Sequence, residues 1–205
     1  MKGLFWNSRG LRDLAKFNFL SDTCLDYHLD FVAILETRRD DFTKADLDRF
    51  CGGKEFFWHW TSPRGQSGGI LLGVNLLVFD VGAITLGDFH LKFNIRNKVD
   101  GFEWALIAAY GAAQNDLKEA FLTEMVQFCT SYDKPTLLGG DFNIIRNPLE
   151  KNNDRYNDRW PFLFNACIDS LDLRDLDFSG RKFTWANSLD TPTFERLDRI
   201  LVSTD

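Results

Sequence analysis

The chain has little cysteine: four in 205 residues, Cys24, Cys51, Cys129 and Cys167, far apart and with no C-x-x-C pair among them. This excludes a disulfide framework and a cysteine zinc site, and points to buried free thiols in a reducing compartment. Histidine is scarcer still. There are three, with His28 in a loop before a strand and His59 and His90 within expected strands. No apolar run approaches membrane-spanning length. Lys2 is followed by only four uncharged, mostly apolar residues before Asn7, so no signal peptide is visible. Internal repeats, low-complexity tracts and interdomain linkers are also missing. Nor is there a basic excess: the net charge of −6 does not advertise a nucleic-acid binder, although a carboxylate-lined metal site would contribute acidic charge of its own. The expectation is one soluble intracellular domain over residues 1–205, nuclear or cytoplasmic, without membrane association and monomeric.

What is present is an aromatic-rich interior, with 20 Phe and six Trp in a 44% hydrophobic chain. Continuous apolar runs at 31–35, 70–72, 104–109 and 136–138 read as strands covered on both faces. Glu55–Thr61 is an aromatic strand, and 78–86 with 90–96 alternate as a pair around Gly87-Asp88. Helical spacing is read at 12–20 (Leu14 and Phe17 inward), 41–50 (Thr43 as a cap), 115–132 and 160–171, and further strands at 181–185 and 194–202. Helices alternate with strands, but antiparallel hairpins are mixed in. That predicts an α/β fold with more than one sheet.

The stretch Thr136-Leu137-Leu138-Gly139-Gly140-Asp141-Phe142-Asn143 stands out. Its glycines would let the backbone turn sharply at the strand end, and alternation would aim Asp141 and Asn143 to one side. Other strands also end on polar residues: Asn7, Glu36 and Tyr110, with Asp198 inside the final strand. So many from separated segments predict a convergent polar site at one rim.

In type and order these residues, the GGDFN at 139–143 and the RLDRIL at 196–201 resemble the endonuclease/exonuclease/phosphatase superfamily. FWNSRGL, SGGILLGV, the KNND-to-RWPF segment and GRKFTWAN look most like the apurinic-type endonuclease domain of plant LINE (non-LTR) retrotransposons. The resemblance implies two mixed β-sheets packed face to face with helices outside, a four-layer α/β sandwich. It implies Mg²⁺-dependent nicking of DNA, with Mn²⁺ as an alternative ion. Glu36 would be the metal carboxylate with Asn7 beside it. Asp141 would activate water and Asn143 would hold the phosphate or orient that base. Tyr110 would donate to a phosphate or leaving oxygen. Arg64, in a loop with Gln66 and Ser67, would meet the phosphate backbone, and Thr184 and Asn187 would lie toward the minor groove. Lys151 to Arg159, alternating in charge, reads as a solvated loop. The family closes with one more strand bearing Ser-Asp-His, whose His pairs with the Asp matched by Asp198. The sequence stops at Asp205 before it, so a missing last strand and impaired nicking are expected. The alternatives are a phosphoesterase acting on lipid, inositol or nucleotide phosphates, and a catalytically silent remnant.

Overall fold

The computed structural model describes residues 1–64 and 68–204. The first half contains β1 (Gly3–Asn7), α1 (Leu14–Asp26), β2 (Phe31–Leu35), α2 (Lys44–Phe50), β3 (Phe56–Thr61) and β4 (Ile70–Asn75). Its four strands form one sheet in the order β1-β2-β4-β3, in which only β1 and β2 run parallel. The second half contains β5 (Phe79–Leu86), β6 (His90–Asn97), β7 (Glu103–Tyr110), α3 (Lys118–Thr130), β8 (Thr136–Asp141), α4 (Arg159–Ser170), β9 (Leu173–Asp175), β10 (Trp185–Ala186), β11 (Phe194–Glu195) and β12 (Asp198–Ser203). Six of these strands form a second sheet, β5-β6-β7-β8-β12-β9, with β7 and β8 its parallel pair; β10 and β11 make a small separate hairpin.

Strand alternation explains why the buried runs are apolar on both sides. Phe31, Ala33 and Leu35 of β2 meet Trp104, Leu106 and Ala108 of β7 between the sheets. Val32 and Ile34 face the other way, onto Leu20, Cys24 and Phe50 of α1 and α2. Ala105, Ile107 and Ala109 face Phe121, Met125 and Phe164 of α3 and α4. The result is the expected four-layer α/β sandwich, helix–sheet–sheet–helix. Thr43 caps α2 with a capping box to Asp46, as its position suggested.

Four local expectations change. The first helix begins at Leu14 and runs to Asp26, with Leu14 exposed, Phe17 edge-on against Phe50 as expected, and Leu20 and Cys24 buried against Phe50 and Val32. The strand expected at 194–202 is two strands, since 194–195 pair with β10 while 198–203 pair with β8 and β9. The strand at 181–185 shrinks to Trp185–Ala186, and the short β9 had no apolar run to announce it. The glycines of β8 do not turn the chain, for the ladder continues to Asp141. They make room instead: a Cβ on Gly139 would lie 2.5 Å from the Phe5 ring, and one on Gly140 2.0 Å from the Ala109 carbonyl.

Candidate active site

Three adjacent strands of the second sheet bring Tyr110, Asp141 and Asp198 into one row. Tyr110 pairs in register with Asp141 across β7–β8, and Asp141 with Asp198 across β8–β12. The first sheet supplies the facing wall. Asn7 ends β1 and donates its Nδ2 to Asp141 Oδ2 at 2.8 Å, while its Oδ1 accepts from the Arg9 amide at 3.0 Å. Glu36 follows β2 and lies close enough to the Tyr110 phenol for its charge to act on it. Asn143 reaches the site by a route alternation did not predict. It lies just past the strand with φ +50°, donates its amide to Asp141 Oδ1 at 3.0 Å, and donates Nδ2 to the Gly111 carbonyl at 2.9 Å.

The rim is backbone-strained. Arg9, Glu36, Arg38 and Asn143 all hold positive φ between +48° and +52°, at a cost of roughly 1–3 kcal/mol each that surrounding bonds must hold. They do so through Ser8 N to Leu35 O, Gly10 N to Glu36 O, Leu11 N to Thr37 O, and Thr37 and Arg38 N to Gly69 and Gly68 O. Gly68 presses directly on Glu36, where a Cβ would come within 2.8 Å of its Cα.

Crowding of carboxylates in this rim shifts their protonation. Burial pushes Asp141 up to about 6, the charges of Asp198 and Glu36 add to this, and the hydrogen bonds from Asn7 and Asn143 oppose it. Asp198 is raised by burial against the pull of Thr184, Arg9 and Arg199. Tyr110 is raised by burial and by Glu36 and Asp141, so its hydroxyl stays protonated. A carboxylate poised near neutrality beside a fixed O–H donor suits proton abstraction next to a developing anion.

A family model described as the Endonuclease/Exonuclease/phosphatase family matches residues 4–205. The chain belongs to this family. No curated protein sequence matches it significantly. Among solved structures it is similar to a 3′ phosphatase, NExo, from Neisseria bound to product DNA hairpin (17% identity, TM-score 0.78, covering 100% of this chain and 87% of that one). It is also similar to an AP endonuclease from Archaeoglobus fulgidus (13%, TM-score 0.75, 99% and 86%) and to the endonuclease domain of TRAS1, a telomere-specific non-LTR retrotransposon (15%, TM-score 0.69, 99% and 84%). At these identities the likeness shows a shared fold.

Members of this family generally depend on a divalent metal. Among the described residues no group of three or more His, Cys, Asp or Glu side chains is arranged to hold an ion. The rim nonetheless fits one of the oxygen-seeking kind. Its donors are carboxylate and amide oxygens, and a hard cation that keeps its waters needs only one or two of them.

The remaining expected residues of this family member lie apart from the row or serve it indirectly. The Arg64 guanidinium is exposed and nearest to Asp88, 3.7 Å away, in a cleft with Glu124 and Phe128. Gln66 and Ser67 lie outside the described residues. Thr184 is exposed, and its hydroxyl accepts from the Leu197 and Asp198 amides at 3.0 and 3.1 Å. Asn187 closes the loop after β10, accepting from the Thr193 amide at 2.9 Å. The segment 151–159 is not wholly solvated. Lys151 pairs with Glu195 at 2.7 Å, and Asn152 and Asn153 bond Pro192, Thr193 and Phe194 across to the hairpin.

Sequence reading missed Arg9, Arg38 and Lys118. Arg9 and Arg38 act on Asp198 and Glu36, and Lys118 donates to the Asn143 carbonyl at 2.9 Å, its pKa lowered by burial and by Lys151. Arg9 and Arg38 follow Asn7 and Glu36 by two residues each, a spacing that was available as a signal. Lys118 had none.

Proposed function

We propose that this chain is a Mg²⁺-dependent phosphodiesterase of the LINE retrotransposon type that nicks DNA. The observation that carries the reading is the single row Tyr110–Asp141–Asp198, faced by Asn7 and Glu36 from the other sheet. Asp141 takes the proton of the attacking water as the water oxygen bonds to phosphorus and the P–O bond to the leaving strand breaks. Asn7 and Asn143 hold that carboxylate in place, each through one hydrogen bond. The Tyr110 hydroxyl donates to a phosphoryl or leaving oxygen, and Asp198 stands where the family's Asp pairs with its His. Glu36 and Asn7 would hold the metal ion, Mg²⁺ or Mn²⁺, which when bound neutralises charge on the phosphoryl oxygens. A DNA substrate is supported by the relatives with DNA or retrotransposon ties, and by the cations Arg9, Arg38, Lys118 and Lys151 around the rim of an acidic protein. Thr184, Asn187 and Arg64 belong to the DNA-facing surroundings in this reading, and binding is strongly salt-dependent.

The test is conversion of supercoiled plasmid to open circle, with inositol, lipid and nucleotide phosphates assayed in parallel. Nicking above the EDTA control is expected, and Asp141→Asn should lower it by about 10²–10⁴. Hydrolysis confined to the small phosphates would move the protein to that class, and no hydrolysis of either would mark it as silent.

A further inference from the structure

The three rim carboxylates are balanced unequally. Asp198 has Arg9 acting on it, and Glu36 forms an ion pair with Arg38, but among the described residues Asp141, 3% exposed, receives only the amides of Asn7 and Asn143. The Arg38–Glu36 pair is built into the backbone. Glu36 and Arg38 both hold φ +52° around Thr37, which is fully buried and bonded to Gly69, while the Arg38 amide donates to the Gly68 carbonyl at 2.7 Å. This geometry brings the two side chains together although they are only two residues apart. The Glu36 side chain is 12% exposed and that of Arg38 is 59% exposed, so the carboxylate is fixed and the guanidinium is free to leave. Arg38 also acts electrostatically on the Tyr110 hydroxyl.

We propose that Arg38 is the built-in counter-cation of Glu36, displaced when a divalent ion binds there and then available to a phosphate of the DNA strand. Two cations compete for one fixed carboxylate, so metal entry costs the ion pair and releases a guanidinium suited to bidentate phosphate contact. By thermodynamic reciprocity, metal and DNA then strengthen each other's binding through Arg38. The inference rests on Glu36 being the metal carboxylate.

The test is titration of Mn²⁺, followed by the electron paramagnetic resonance of the free ion, into the parent chain and into Arg38→Met, Arg38→Lys and Glu36→Gln. Arg38→Met should bind Mn²⁺ about 5-fold or more tightly than the parent. Arg38→Lys should stay close to the parent, and Glu36→Gln should lose the site. Fluorescence anisotropy of a labelled duplex, measured in an Asp141→Asn background to prevent cutting, gives the second arm. Mn²⁺ should strengthen duplex binding when Arg38 is present and should not when it is Met. Unchanged or weaker Mn²⁺ binding by Arg38→Met overturns the proposal, as does absence of binding in both it and the parent. Loss of Mn²⁺ in Glu36→Gln without a gain in Arg38→Met removes only the role of Arg38. Binding indifferent to Glu36→Gln removes the metal assignment itself.

Discussion

Glu150 should be among the costliest single residues to alter outside the apolar core. Three arginines and two acids knit the segment after β8 to β9 and β12. The Glu150 carboxylate accepts from the Arg146 amide at 2.6 Å and from Arg199 Nη2, and lies 3.6 Å from Arg196 Nη1. Asp175 meets Arg146, Arg196 and Arg199 at 3.2, 3.1 and 2.8 Å. The Arg199 side chain is fully buried. Glu150→Gln keeps the shape but leaves three guanidiniums facing one carboxylate. At 4 Å and an effective dielectric of 20, one such pair is worth about 4 kcal/mol, and breaking a buried pair costs about 3–5 kcal/mol in other proteins. A loss of about 3 kcal/mol in urea unfolding is therefore expected, a large part of the roughly 5–15 kcal/mol that holds a domain together. Adding Arg199→Met should restore part of the loss, since the buried cation is then gone as well, and moderate salt should change little. A Glu150→Gln variant within about 0.5 kcal/mol of the parent, or one with no coupling to Arg199→Met, would refute the reasoning.

Asp141→Asn should stabilise the metal-free protein while removing activity. Its folded pKa, about 6, lies above its ordinary 3.8, so ionisation at neutral pH opposes folding, by an amount of order 1–3 kcal/mol; an unchanged or lower melting temperature at pH 7 would contradict this. Thr184→Val should cost about 1–3 kcal/mol by stranding the Leu197 and Asp198 amides, and Thr184→Ser should recover most of it in the same unfolding assay. His90 is wholly buried, and burial lowers its pKa below 6.5 despite Glu124. The unfolded chain therefore takes up a proton that the folded one resists, so the contribution of His90 to stability is full above pH 6.5 and is lost as the pH drops below it. His90→Gln should flatten the slope of unfolding free energy below pH 6.5.

The apolar runs at 31–35, 70–72 and 104–109 were legible because burial on both faces leaves unbroken apolar sequence, and each falls within an observed strand. Asn7, Glu36, Tyr110, Asp141 and Asp198 were legible as strand-end polar residues in family order. Their union in one rim follows from β8 being flanked by β7 and β12, while β1 and β2 lie in the facing sheet. Where the outcome depended on partners distant in sequence, local pattern was insufficient. Asn143 arrives through a positive φ and the carbonyl of Gly111, not through strand alternation. Residues 194–202 look like one strand, yet two sets of neighbours divide them. The hydroxyl of Thr184 serves Asp198 fourteen residues away, and Lys118 serves Asn143 across twenty-five. Composition and periodicity record which surfaces must be buried. Which polar groups then satisfy one another is decided by hydrogen bonds and charge pairs that form only once the two sheets have packed.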